Sequence, residues 1–119
     1  MYKYYNINPT RRKLPDCVCR AISLATRTSY GIIMDILEQN GLCNDCEETS
    51  INCYSNVIEN LGYITKDANN KTVEMLCNDY PDNILLIRID GHLTCCINGC
   101  CYDIWDCTNE KADIFWVIE

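Results

Sequence analysis

Two side chains with the makings of a nucleophile and its base stand far apart in this sequence. Cys17 lies just inside a predicted helix start, in the run Asp16-Cys17-Val18-Cys19-Arg20-Ala21-Ile22, and His92, the sole histidine, heads a predicted hairpin in Gly91-His92-Leu93-Thr94. A thiol attacks only as thiolate, and the first turn of a helix lowers a cysteine pKa through its unpaired N–H groups and positive dipole end. An imidazole within reach completes the activation. The competing reading is structural: cysteines are commonly small buried hydrophobes, and this chain has 11 of them. Cys19 is no substitute for Cys17, because two residues on it lies roughly 200° around the helix and points elsewhere.

The elements that must position these groups can be read from turn chemistry and periodicity. Residues 1–15 form an extended, aromatic-rich arm ending at Leu14-Pro15, where proline disfavours helix in the residue before it. Asp16 then serves as a predicted N-cap. From Cys17 to about Thr26, Val18, Ala21, Ile22 and Ala25 recur at helical spacing, which buries one face. A second helix is predicted from Ser29 to Gly41 with Ile32, Ile33, Ile36 and Leu37 as its stripe, and a third from Ser50 to about Leu61, closed by Gly62. A short fourth follows Thr72 to about Asp79 and stops before Pro81. From Asn83 the period changes to that of strands: Ile84–Ile89, a turn at Asp90-Gly91, His92–Ile97, the hairpin signal Asn98-Gly99, a return over Cys100–Asp106, and a last strand Ile114–Ile118. Helices first and an antiparallel sheet after them give an α+β class, with residues 1–119 as one domain.

The hairpin register brings a third residue into play. With Asn98 and Gly99 as the loop, Ile97 pairs with Cys100, Thr94 with Asp103 and His92 with Trp105. Side-chain alternation then puts His92, Thr94, Cys101, Asp103 and Trp105 on one face, with the Asp103 carboxylate diagonal to the imidazole. Such a carboxylate orients the ring, fixes its tautomer and stabilises the imidazolium. Asp106 faces the other way in the ideal register, and a bulge would exchange the two, so Asp106 stays as the alternative to Asp103.

Composition narrows the setting. The net charge of −7 argues against binding a phosphate backbone, since Arg11-Arg12-Lys13 is the only basic cluster. The N-terminal residues lack the apolar stretch of a signal peptide, and no apolar run approaches the roughly 18 residues that span a membrane. The expectation is a cytoplasmic protein without nucleic-acid or membrane partners, and with most thiols reduced. The adjacent pairs Cys95-Cys96 and Cys100-Cys101 should each turn one thiol inward and one outward. Cys43-Asn44-Asp45-Cys46 has the spacing of half a zinc site, but a structural zinc takes four ligands and no second such pair exists. A solvent-facing loop is expected there, and no cofactor or metal.

The order Cys, His, Asp, with the cysteine on an N-terminal helix and the other two on a later sheet, resembles the papain-like cysteine peptidase fold. Tyr5-Asn6-Ile7-Asn8-Pro9, the run from Asp16 to Ile22, Gly91-His92-Leu93-Thr94, Tyr102-Asp103-Ile104-Trp105-Asp106-Cys107 and the later Phe115-Trp116 are similar to the short papain-like proteins of bacteriophages and bacterial mobile elements. The resemblance implies a catalytic triad of Cys17 as nucleophile, His92 as general base and Asp103 as orienter. It also implies that Trp105, in the place of the tryptophan of an Asn-Ser-Trp run, shields the pair from water. In that family the oxyanion hole combines the nucleophile's own N–H with a side chain upstream, usually Gln. No Gln precedes Cys17, and Asn8 offers the amide instead.

Three functions are compatible with these residues. The first is a cysteine hydrolase, a thiol protease acting on a protein or peptide through an acyl-enzyme at Cys17. The second is a phage or mobile-element protein that binds or inhibits a host protein on a papain-like scaffold, for which an acidic surface is suited. The third is a thiol-dependent acyl transferase or deamidase using the same triad. Fold alone does not choose among them.

Overall fold

The computed structural model describes residues 1–10 and 15–119, so the cluster Arg11-Arg12-Lys13 and Leu14 lie outside the described residues. The elements in chain order are β1 (Tyr2–Tyr4), α1 (Cys17–Thr26), α2 (Tyr30–Asn44), α3 (Ile51–Asn60), β2 (Lys66–Asp67), α4 (Val73–Asp79), β3 (Ile84–Ile89), β4 (His92–Ile97), β5 (Cys100–Asp103) and β6 (Ala112–Val117). The class is α+β, but the sheet is mixed and not antiparallel throughout. Its order is β1-β5-β4-β3-β6-β2, with β1 parallel to β5. The N-terminal arm pairs Tyr2 with Cys101 and Tyr4 with Asp103, which covers an edge the hairpin would otherwise expose. The last strand returns to β3, so β3 lies at the centre of the sheet. The two-residue β2 is too short for any alternation to reveal it.

The β4–β5 hairpin has the register that its turn dictates. Ile97 pairs with Cys100 and Cys96 with Cys101. Asn98 and Gly99 take φ of 50° and 80°, the left-handed pair that a tight turn of this hand requires.

Helices cover both faces of the sheet. On one side Val18, Ala21 and Ile22 of α1, Ile33 and Leu37 of α2 and Tyr54, Val57 and Ile58 of α3 pack with Leu86, Leu93, Cys95 and Trp116. On the other, Val73, Leu76 and Cys77 of α4 pack with Leu85, Ile87, Cys96, Cys101 and Phe115. Each fully buried aliphatic side chain, such as Ile22 or Leu86, contributes about 1.5–3 kcal/mol. This double cover overturns the expectation of outward thiols: Cys95, Cys96, Cys100 and Cys101 are all buried.

The second helix also differs from expectation. It runs past Gly41 to Asn44 and ends where Asp45 takes a left-handed conformation. Gly41 instead permits close approach of the returning chain, since an added Cβ would stand 3.0 Å from the Cys46 carbonyl oxygen. Only Ile33 and Leu37 of its stripe are buried, while Ile32 and Ile36 are exposed. Cys43 therefore sits on helix and not in a loop, and its neighbour in the half-site, Cys46, is disulfide-bonded to Cys53 of α3 with Cα atoms 5.7 Å apart. The other nine cysteines are free. Thiol titration of the unfolded chain is expected to count nine thiols before reduction and 11 after it. A count of 11 in both states would remove the bridge.

Candidate active site

Cys17 is the first residue of α1, His92 the first of β4 and Asp103 the last of β5, so all three meet at one end of the sheet. The hairpin register alone brings two of them together: Asp103 Oδ2 lies 2.6 Å from His92 Nε2. His92 also shares a hydrogen bond with the Cys17 thiol, so the imidazole stands between sulfur and carboxylate. The result is a linear chain of thiol, imidazole and carboxylate. Asp106 is not part of it. β5 ends three residues before Asp106, whose exposed carboxylate instead accepts from the Thr108 N–H and hydroxyl at 3.1 and 2.6 Å.

The electrostatics of the three groups favour charge separation. Burial pushes the Cys17 pKa up, but hydrogen bonds from His92 and the Leu93 N–H, with the positive charges of His92 and Arg20, outweigh it and leave the thiol below its ordinary value of 9.0. Burial pulls His92 down, and its hydrogen bonds to Asp103 and Cys17 reverse this and bring it to about 9. Asp103 is opposed by burial as well, yet the His92 contact and charge, the Thr94 hydroxyl and the Ile104 N–H hold it below 3.8. These interactions favour the protonated imidazole and the ionised carboxylate and shift the thiol toward thiolate. Cys19 has the opposite character. It is buried, its thiol contacts the Tyr30 carbonyl at 3.4 Å, and burial pushes its pKa up to about 11.

Two expected roles are filled differently. The Asp16 side chain does not cap α1. Its carboxylate forms an ion pair with Arg20 and accepts from the Tyr30 hydroxyl at 2.6 Å and from the Asn8 amide at 3.0 Å. Asn8, the expected oxyanion donor, is thereby drawn away: its Nδ2 faces Asp16 and, at 3.4 Å, Tyr30. The Cys17 N–H, one of the first-turn groups without an intrahelical acceptor, is a backbone donor beside the sulfur. Trp105 stands edge-on to the His92 ring with centroids 5.2 Å apart, and at 46 % exposure it covers the imidazole while forming part of the surface.

Arg20 and Tyr30 are the site residues that sequence reasoning missed. The i,i+4 spacing of Asp16 and Arg20 was the available signal, since it places opposite charges on neighbouring turns of one helix face. Tyr30 carried none, because its contact with Asp16 depends on how α2 crosses α1.

Cys17 and His92 lie at the meeting of two cavities, of about 320 and 450 Å3, that also share Thr49 and Gly91. Ile51, Tyr54 and Arg88 line the first, and Pro15, Ile104 and Trp105 the second. Among the described residues, His92, Asp103 and Cys107 bring potential metal-ligand atoms within 4.8 Å of one another. The geometry is that of a hydrogen-bonded pair: tetrahedral ligands about 2.0 Å from an ion sit roughly 3.3 Å apart, whereas Nε2 and Oδ2 are 2.6 Å apart. Among the described residues no helix is long and apolar enough to cross a membrane. Comparison with protein-family models, curated proteins and solved structures gives no match.

Proposed function

We propose that this chain is a cysteine hydrolase of papain-like type, a thiol peptidase that cleaves a peptide or isopeptide bond through an acyl-enzyme at Cys17. The observation that carries this reading is the Cys17–His92–Asp103 chain at the centre of an open cleft. In the first step the thiolate adds to the carbonyl carbon, and the oxygen that becomes negative accepts from the Cys17 N–H. The C–N bond then breaks as the His92 imidazolium gives its proton to the departing amine. In the second step neutral His92 takes a proton from water, whose oxygen attacks the thioester and releases the acid and the thiolate. Asp103 holds the ring and balances its charge throughout.

The test is selective labelling. An electrophilic peptide or limiting iodoacetamide at about pH 6 should modify Cys17 ahead of the exposed Cys43, because the His92 and Leu93 hydrogen bonds and the nearby positive charges favour the Cys17 thiolate. Peptide mass spectrometry reads the outcome, and preferential labelling of Cys43 would refute an activated Cys17.

The pH dependence of hydrolysis has a defined sign. As pH falls, Cys17 is protonated at a value below 9.0 and the rate is lost; as pH rises through about 9, His92 loses the proton needed by the leaving amine and the rate is lost again. A bell-shaped profile is therefore expected in initial rates. One still climbing above about pH 9 would indicate a lone thiol.

A second reading is supported by the position of Asn8. With its amide held by Asp16 and Tyr30, Asn8 is not free to serve the oxyanion, as befits a papain-like scaffold retained to bind a host protein. A Cys17→Ala protein that keeps its full biological effect would favour this reading over hydrolysis.

A further inference from the structure

We propose that Arg20 is a positioning residue of this site, tying the thiol-bearing helix to the carboxylate that orients His92; the proposal rests on the hydrolase reading of Cys17, His92 and Asp103. Arg20 lies one turn after Cys17 on α1 and is only 7 % exposed. One terminal nitrogen pairs with Asp16 Oδ1, and the other lies 3.5 Å from Asp103 Oδ1. The planar fork thus bridges two carboxylates, one on the chain leading into α1 and one at the end of β5. A lysine ammonium is a single point charge on a flexible stem and lacks that fork.

The bridge acts where the triad needs it. Asp103 presents Oδ2 to His92, while Oδ1 receives the Ile104 N–H at 2.7 Å and faces Arg20. Held on both oxygens, the carboxylate cannot turn away from the ring. The other end of the bridge is equally fixed, since Tyr30 of α2 and Asn8 both donate to Asp16. A shift of α1 against the sheet would separate the sulfur from the imidazole, and Arg20 opposes that shift from within the helix that carries the sulfur. Among the described residues, the titratable and charged groups around the thiol include His92 from β4, Arg20 from α1 and Tyr54 from α3, with Asp103 of β5 behind His92. Arg20 is the guanidinium among them.

The experiment is the pH dependence of Cys17 alkylation by iodoacetamide, read by peptide mass spectrometry on the full chain, with thermal melting as the check of folding. In the wild type the reactive limb should lie below that of an ordinary thiol. Arg20→Gln should move it up by about one pH unit, lowering the rate on the acid side about tenfold. Arg20→Lys, which keeps a buried cation and lacks the fork, should fall between. The double variant Asp16→Asn, Arg20→Gln removes both charges of the pair, so it leaves no unpaired carboxylate at Asp16, and it should move the limb in the same direction. A folded Arg20→Gln or double variant with the wild-type limb overturns the proposal; should neither fold, a wild-type limb in Arg20→Lys overturns it. An ordinary limb in the wild type itself would overturn the hydrolase reading and this proposal with it, whereas a low wild-type limb that the variants leave in place would overturn the role of Arg20 alone.

Discussion

Replacing Cys17 with alanine is expected to abolish acyl transfer, lowering the rate of peptide hydrolysis about a millionfold, to the limit of detection, because no other group at the site can form the covalent intermediate. Asp103→Asn should cost less, roughly ten-thousandfold or under: the nucleophile and base remain, and what is lost is the tautomer and the charge behind the imidazolium. Cys19→Ala should be nearly silent in rate, since that thiol faces the Tyr30 carbonyl and is held protonated. The assay is hydrolysis of a fluorogenic peptide library by the three variants, each first shown to melt as the wild type does. Comparable activity in Cys17→Ala would end the assignment of Cys17 as nucleophile. Equal losses in Cys17→Ala and Cys19→Ala would point to damage to α1 instead of to the chemistry.

The second large effect is expected from the core. Trp116 of β6 is fully buried, meets Tyr54 of α3 edge-on at 6.5 Å between ring centroids, and donates its indole N–H to the Thr65 hydroxyl at 2.9 Å. Trp116→Ala removes the largest buried side chain of the domain and leaves a cavity between α3 and the sheet, at a cost of about 3–5 kcal/mol. Against a total stability of about 5–15 kcal/mol for a domain of this kind, that should lower the melting temperature by about 12–20 °C. Tyr54 also lines the cleft beside Cys17, so the variant should lose activity at temperatures well below its melting point. Circular dichroism melting measures the first effect, and a change of only a few degrees would show that Trp116 does not hold α3 in place.

The parts of this protein legible in the sequence are those set by short-range backbone preferences. Asn98-Gly99 determined the turn, the turn determined the register, and the register determined that Asp103 stands diagonal to His92. The position of Cys17 at a helix start followed from Pro15, Asp16 and the spacing of Val18, Ala21, Ile22 and Ala25, although Asp16 bonds Arg20, Asn8 and Tyr30 in place of the helix N-terminus. Periodicity reports where a helix has an apolar face but not how wide a face its neighbours will cover, which is why Ile32 and Ile36 belong to the apolar stripe and are exposed.

Tertiary structure decided whatever depends on pairing distant segments. The arm Tyr2–Tyr4 had no local signal for lying parallel to β5, and Cys46 none for choosing Cys53, since such contacts are selected by the closure of the whole chain. Covering the sheet with α4 on its second face buries the thiols that alternation turns outward. By itself the sequence singled out three candidate side chains and determined the pairing of two. Only the packing of α1 against β4 brought Cys17 to the imidazole, and only the burial of Arg20 between two carboxylates joined that helix to Asp103, because charges this deep are stable only where several elements supply their partners at once.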